Sequence, residues 1–104
     1  MQRYAFVMKL KPGCEQEYRK RHDQIWPELA ALLSASGIRD YSIFLEKATG
    51  KLFAVQKLEG SASSQELSRN PLVRRWWDYM ADIMEVNPDN SPVSEPLLEV
   101  FHLA

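Results

Sequence analysis

The sequence predicts an α+β fold, an antiparallel sheet of the ferredoxin-like β-α-β-β-α-β type. Three observations carry the prediction: period-two alternation at the start of the chain, two stretches of helical period, and a hairpin signal between them. Residues 3–10 alternate, with Tyr4, Phe6, Met8 and Leu10 on one face and Ala5, Val7 and Lys9 on the other, until Pro12-Gly13 stops the strand. From Cys14 to Ser36 the period becomes helical, with Tyr18, His22, Ile25, Leu29, Leu32 and Leu33 recurring at three- and four-residue steps. A residue before proline avoids αR geometry, so the helix is expected to break near Trp26, with Pro27 opening a second piece. Gly37 suits the C-cap. Two strands follow, 40–46 and 51–58, joined by Ala48-Thr49-Gly50. Ser61 to Ser68 is small and polar, a loop or a short weak helix. Asn70-Pro71 then opens a helix from Leu72 to Met84, striped by Leu72, Val73, Trp76, Trp77, Met80, Ile83 and Met84. Asn87-Pro88-Asp89-Asn90-Ser91-Pro92 reads as an ordered loop or lid, and Leu97 to Leu103 alternates again as a closing strand.

Four antiparallel strands with helices on one face leave the other sheet face bare, and that face alternates apolar residues too. A second copy of the chain is the simplest cover, which predicts a homodimer with facing sheets, a dimeric α+β barrel, and a small-molecule pocket in its interior. The length of 104 residues fits a single domain, 1–104. A formal net charge of −1 gives no electrostatic reason for nucleic acid or an anionic membrane as partner. One cysteine, Cys14, excludes an internal disulfide framework and suits a reducing compartment. The first residues lack a basic segment followed by an apolar one, and no apolar run approaches a membrane span, so the cytoplasm is the expected location.

Metal-ligand spacings, phosphate cradles of the GxGxxG or GxxxxGK[ST] type, and a GxSxG nucleophile elbow are all missing from the sequence. What remains is acid–base chemistry without a metal or organic cofactor. Tyr18 and His22 stand four residues apart and share a helical face. An imidazole with a pKa near ~6.5 gives and takes protons at neutral pH, and a nearby phenol can orient a hydroxyl. A histidine packed between aromatic rings satisfies the same spacing, and pattern alone favours that simpler reading. Trp76 and Trp77 diverge by about 100° around their helix, so one can face the core while the other borders a pocket. Aromatic faces stack on sugar C–H faces, although composition favours the reading in which both tryptophans are core. Tyr41 opens the second strand with Ile43 and Leu45 on its face, and alone reads as core. His102, near the end of the last strand, is a weaker candidate.

The runs Glu17-Tyr18-Arg19-Lys20-Arg21-His22 and Ile25-Trp26-Pro27-Glu28-Leu29 resemble the signature of the L-rhamnose mutarotase family. So do Arg75-Trp76-Trp77-Asp78-Tyr79-Met80, Asn87-Pro88-Asp89-Asn90-Ser91-Pro92-Val93 and Glu99-Val100-Phe101-His102-Leu103, in the same order and spacing across essentially the whole chain. The resemblance implies a cofactor-free isomerase that interconverts the α and β anomers of L-rhamnose. It implies His22 as proton donor to the ring oxygen, with Tyr18, Tyr41, Trp76 and Trp77 contacting the sugar. It leaves the base open between Tyr18 and a bound water. Fold alone leaves room for a small monooxygenase of the same α+β barrel type, or for a non-catalytic sugar-binding module.

Overall fold

In the computed structural model, which describes residues 1–60 and 62–104, the elements are β1 (Gln2–Lys9), α1 (Glu15–Asp23), α2 (Pro27–Ala35), β2 (Ile38–Glu46), β3 (Lys51–Leu58), α3 (Pro71–Met80) and β4 (Glu95–Leu97). A single turn of 3₁₀ helix, Ser64–Glu66, precedes α3. It falls in the small polar stretch from 61 to 68, of which Ser61 lies outside the described residues. The strands form one antiparallel sheet in the order β2-β3-β1-β4, the arrangement expected of a β-α-β-β-α-β chain.

Local chemistry sets most boundaries where the sequence puts them. Trp26 adopts φ −58° and ψ 127°, the extended geometry required before proline, and Pro27 takes the first turn of α2, where its missing N–H costs nothing. The Asn70 side chain accepts a hydrogen bond from Leu72 N at 2.9 Å and caps α3, again with proline in the first turn. In the β2–β3 turn Gly50 has φ +76°, and a Cβ there would meet Leu10 O at 2.9 Å. Gly50 O in turn accepts from Leu10 N at 2.8 Å, so glycine lets the hairpin dock its turn on the end of β1.

Two boundaries differ by more than two residues. The helix expected from Leu72 to Met84 ends at Met80. Ile83 and Met84 stay buried, but through backbone pairing: Lys11 N donates to Ile83 O, Glu85 N donates to Lys9 O, and Leu10 and Met84 form a β-bridge. The stripe of apolar residues is the same whether the chain reaches the core as helix or as bridge. The closing strand expected over 97–103 is Glu95–Leu97 instead. It pairs with β1 only across Ala5, Phe6 and Val7. Residues 98–104 run on exposed, joined to β1 by the bidentate Arg3–Glu99 ion pair, and their alternation has no ladder to match.

One sheet face packs on the helices. Phe6, Met8, Leu52 and Ala54 meet Tyr18, Leu29, Val73, Trp76, Trp77 and Met80 there, all buried. The opposite face carries the rows Phe44–Phe53–Val7 and Val55–Ala5–Leu97, and Phe44 is 65 % exposed. Among the described residues no helix is long and apolar enough to cross a membrane.

Candidate active site

Between the inner sheet face and the helices lies a cavity of about 980 Å³, lined by all five residues singled out in the sequence: Tyr18, His22, Tyr41, Trp76 and Trp77. That size is ordinary for a small-molecule pocket. Helix α1 brings Tyr18 and His22 onto one face, so their rings stack at 4.3 Å with 29° between planes. The Trp76 edge meets His22 at 5.5 Å and 87°, and Trp26 closes on Trp76 at 5.0 Å. The break at Pro27 does not displace Trp26 from this cluster; it turns the ring to stack on Tyr79 at 5.6 Å. Trp76 and Trp77 do not divide into core and pocket as the sequence allowed. Both are buried and both line the cavity.

His22 Nδ1 lies 3.0 Å from the backbone carbonyl of Tyr18. A carbonyl only accepts, so Nδ1 carries the proton and Nε2 of the neutral ring keeps its lone pair. Burial pushes the His22 pKa below its ordinary value, opposed by the Tyr18 carbonyl and by Asp23, so the ring is neutral at pH 7. Burial, with Tyr41 nearby, raises the Tyr18 phenol well above its usual range. Burial also raises the Tyr41 phenol, with the polar side chains of Ser64 and Gln56 opposing the shift. Both tyrosines are therefore neutral hydroxyls.

Arg21, next to His22, ties α1 to the end of α3. Its guanidinium donates to Asp82 Oδ1 and Oδ2 at 2.8 and 3.2 Å, to Glu17 Oε2 at 2.7 Å and to Tyr79 O at 2.7 Å, and lies over the Tyr79 ring at 4.4 Å. The loop after α3 is ordered. Asn87 N donates to Ser91 O, Asp89 accepts from Ser91, and Asn90 Nδ2 reaches Asp78 Oδ1 at 3.1 Å. Pro92 is buried and forms part of the cavity wall. His102 stands exposed on the terminal segment, away from the residues lining the cavity.

Gln56 and Ser64 escaped the sequence reading. Both are buried, Gln56 completely, and the two hydrogen-bond each other through Gln56 Nε2 to Ser64 Oγ and Ser64 N to Gln56 Oε1. The signal was there for Gln56: it breaks an inward row otherwise made of Leu52, Ala54 and Leu58. A buried amide in such a row needs partners, and so marks a polar cluster. Ser64 sits in an irregular segment where periodicity assigns no face.

The family model described as L-rhamnose mutarotase matches residues 3–103. The L-rhamnose mutarotase of Bacteroides thetaiotaomicron is 65 % identical over 103 residues, covering 99 % of each chain. That of Phocaeicola vulgatus is 63 % identical over the same length. The crystal structure of L-rhamnose mutarotase from Formosa agariphila superposes with a TM-score of 0.94 at 54 % identity, covering 100 % of both chains. The Mycobacterium tuberculosis protein Rv0793 superposes at 0.58 with 12 % identity over 99 % of this chain, a likeness of fold alone.

Proposed function

The chain belongs to the L-rhamnose mutarotase family, whose reaction interconverts the α and β anomers of L-rhamnose, and we propose that His22 is the group that moves the proton in that reaction. The observation that carries this reading is the Nδ1 contact with the Tyr18 carbonyl in the wall of the cavity. It leaves Nε2 of a neutral imidazole available as a base at the cavity wall.

Mutarotation needs a proton removed from the C1 hydroxyl and a proton delivered to the ring oxygen. These two oxygens share one carbon, so a single nitrogen reaches both. Nε2 takes the C1 hydroxyl proton, and the imidazolium so formed gives a proton to the ring oxygen as the C1–ring oxygen bond breaks. The products are an open aldehyde with a free chain hydroxyl, and a neutral His22. After rotation about C1–C2 the steps run in reverse on the other carbonyl face, and the protons balance. The imidazolium donates as the family resemblance implies, but it arises from the substrate's own proton. General acid–base help of this kind is worth about 10²–10⁴-fold. Every step uses protein groups and the sugar alone.

Trp76 and Trp77 hold the pyranose face and the C6 methyl, while Tyr18 and Tyr41 offer neutral hydroxyls to sugar oxygens. An aromatic wall rejects an added hydroxyl only modestly, roughly 10²-fold, so related sugars are expected to turn over slowly. The bare apolar sheet face supports a homodimer through that face, with the exposed apolar residues of segment 98–104 alongside it. The single free cysteine supports a cytoplasmic location.

Saturation-transfer NMR of L-rhamnose with catalytic amounts of protein tests the function. We expect exchange well above the buffer rate with the wild type and at the buffer rate with folded His22→Ala. Wild-type exchange at the buffer rate would end the mutarotase reading; a fully active His22→Ala would move the proton transfer to another residue.

A further inference from the structure

We propose that Ser64 is a further sugar-binding residue, whose hydroxyl donates a hydrogen bond to one ring hydroxyl of the bound pyranose; the assignment rests on reading the cavity as the mutarotase site. Small-molecule pockets are mostly apolar, and a few placed polar groups fix the ligand's orientation. Gln16, Arg19, Asp23 and Lys47 line the cavity at exposed positions, where water satisfies them. Ser64 is different. It lines the same cavity yet is only 6 % exposed, and proton transfer at C1 gives it no part. A buried hydroxyl in a cavity wall needs a partner for its proton.

The turn that carries Ser64 is anchored at both ends. Ser63, fully buried, donates from N and Oγ to Glu66 Oε1 at 3.4 and 3.3 Å, which closes the 3₁₀ turn on itself. Ser64 is clipped to β3, where its backbone N–H donates to Gln56 Oε1 at 3.3 Å. A backbone N–H can only donate, so the orientation of the buried Gln56 amide is fixed and its nitrogen donates to Ser64 Oγ. Gln65 Nε2 donates to the same oxygen at 3.4 Å. A hydroxyl has two lone pairs and one proton. Among the described residues Ser64 Oγ accepts twice and donates to none, so its proton is free for an acceptor in the cavity. L-Rhamnose brings such acceptors as its hydroxyls at C2, C3 and C4, whereas its C6 methyl offers none. With C1 at His22, a second fixed polar point sets how the ring lies in the cavity.

A cycle between protein and sugar separates a contact from structural support. Wild type and Ser64→Ala are each given L-rhamnose and its 2-deoxy, 3-deoxy and 4-deoxy analogues. Each pair is read by kcat/KM for anomer exchange and by Kd from tryptophan fluorescence. We expect Ser64→Ala to lower kcat/KM and to weaken binding of L-rhamnose about five- to tenfold, as removal of one neutral hydrogen bond does. Two of the analogues should suffer the same loss. The third, which lacks the partnering hydroxyl, should lose less than about twofold. Ser64→Cys should repeat the pattern, since a thiol fills the space before Gln56 but donates weakly, and it guards against a folding defect in the alanine variant. A loss equal for all four sugars would mean that the hydroxyl serves the fold, and no loss for any of them would mean that it meets no ligand; either overturns the assignment. The two readouts also keep the proposals apart. Selective losses in binding without any exchange activity in the wild type would remove the mutarotase reading and leave the Ser64 contact intact, whereas exchange activity with equal losses would do the reverse.

Discussion

Removing the Arg21 side chain tests how the helix carrying His22 is held. The guanidinium is nearly covered, its side chain 10 % exposed, but its carboxylate partners are not: Asp82 is 67 % and Glu17 44 % exposed. Replacing Arg21 by Met leaves both carboxylates solvated, so each ion pair counts for only ~0–1 kcal/mol after screening. The hydrogen bond from the charged guanidinium to the Tyr79 carbonyl counts for about 1.5 kcal/mol, the low end, since water can reach that carbonyl once the side chain is gone. Loss of the cation over the Tyr79 ring removes ~0.5–1 kcal/mol more. Together these give about 2–4.5 kcal/mol, or roughly 8–36 °C in Tm for a domain of this size. The assay is thermal and urea unfolding of wild type, Arg21→Met and Arg21→Lys, at one protein concentration, because association would shift the midpoint. We expect Arg21→Lys to recover only part of the loss, since an ammonium cannot engage Asp82 through two parallel bonds while reaching Glu17 and Tyr79. An Arg21→Met variant within about 0.5 kcal/mol of wild type would refute the view that this clamp secures α1, because surface substitutions without a structural role fall in that range.

Gly50→Ala should destabilise by about 1–3 kcal/mol in urea unfolding, because it combines a left-handed backbone with a Cβ 2.9 Å from Leu10 O; a neutral outcome would mean the hairpin turn moves freely on β1. If the proposed homodimer forms through the uncovered sheet face, Phe44→Glu should shift the protein toward monomer in analytical ultracentrifugation, and an unchanged sedimentation coefficient would refute a dimer through that face. The depressed His22 pKa has a consequence for stability as well. As pH falls below about 6.5 the unfolded chain takes up a proton before the folded one does, so stability declines from there down through the folded pKa and is unaffected by this group above 6.5. Urea midpoints at pH 7.5 and 5.5 should therefore fall less for His22→Asn than for wild type; equal falls would assign the decline to other groups.

The order of elements was readable because each obeys a local rule. Alternation marks β1 and β3, Pro27 marks the break between α1 and α2, and Asn70-Pro71 opens α3. The same rules fail where pairing is non-local. Ile83 and Met84 carry helical apolar spacing but are buried by bridging to β1, and residues 98–103 alternate without a strand to pair with. The Tyr18–His22 contact was legible from a four-residue step along a helix. Its meeting with Trp76 depends on how α1 and α3 cross the sheet, which no spacing encodes. The bulge in β2, where the register with β3 shifts between Arg39 and Ser42, lay hidden for the same reason. A one-residue slip in register leaves no mark in composition, yet it decides that Tyr41 faces Gln56.

The central claim is that a neutral His22 accepts the first proton in anomer exchange. Its most direct test is the pH dependence of L-rhamnose exchange by saturation-transfer NMR between pH 5 and 8, wild type against His22→Ala, each measured over its own buffer control. We expect the wild-type acceleration to hold level from pH 8 down past 6.5 and to fall only as the pH passes the lowered His22 pKa, with the variant at the buffer rate throughout. An acceleration that grows as the pH drops, or a variant that keeps it, would contradict the claim.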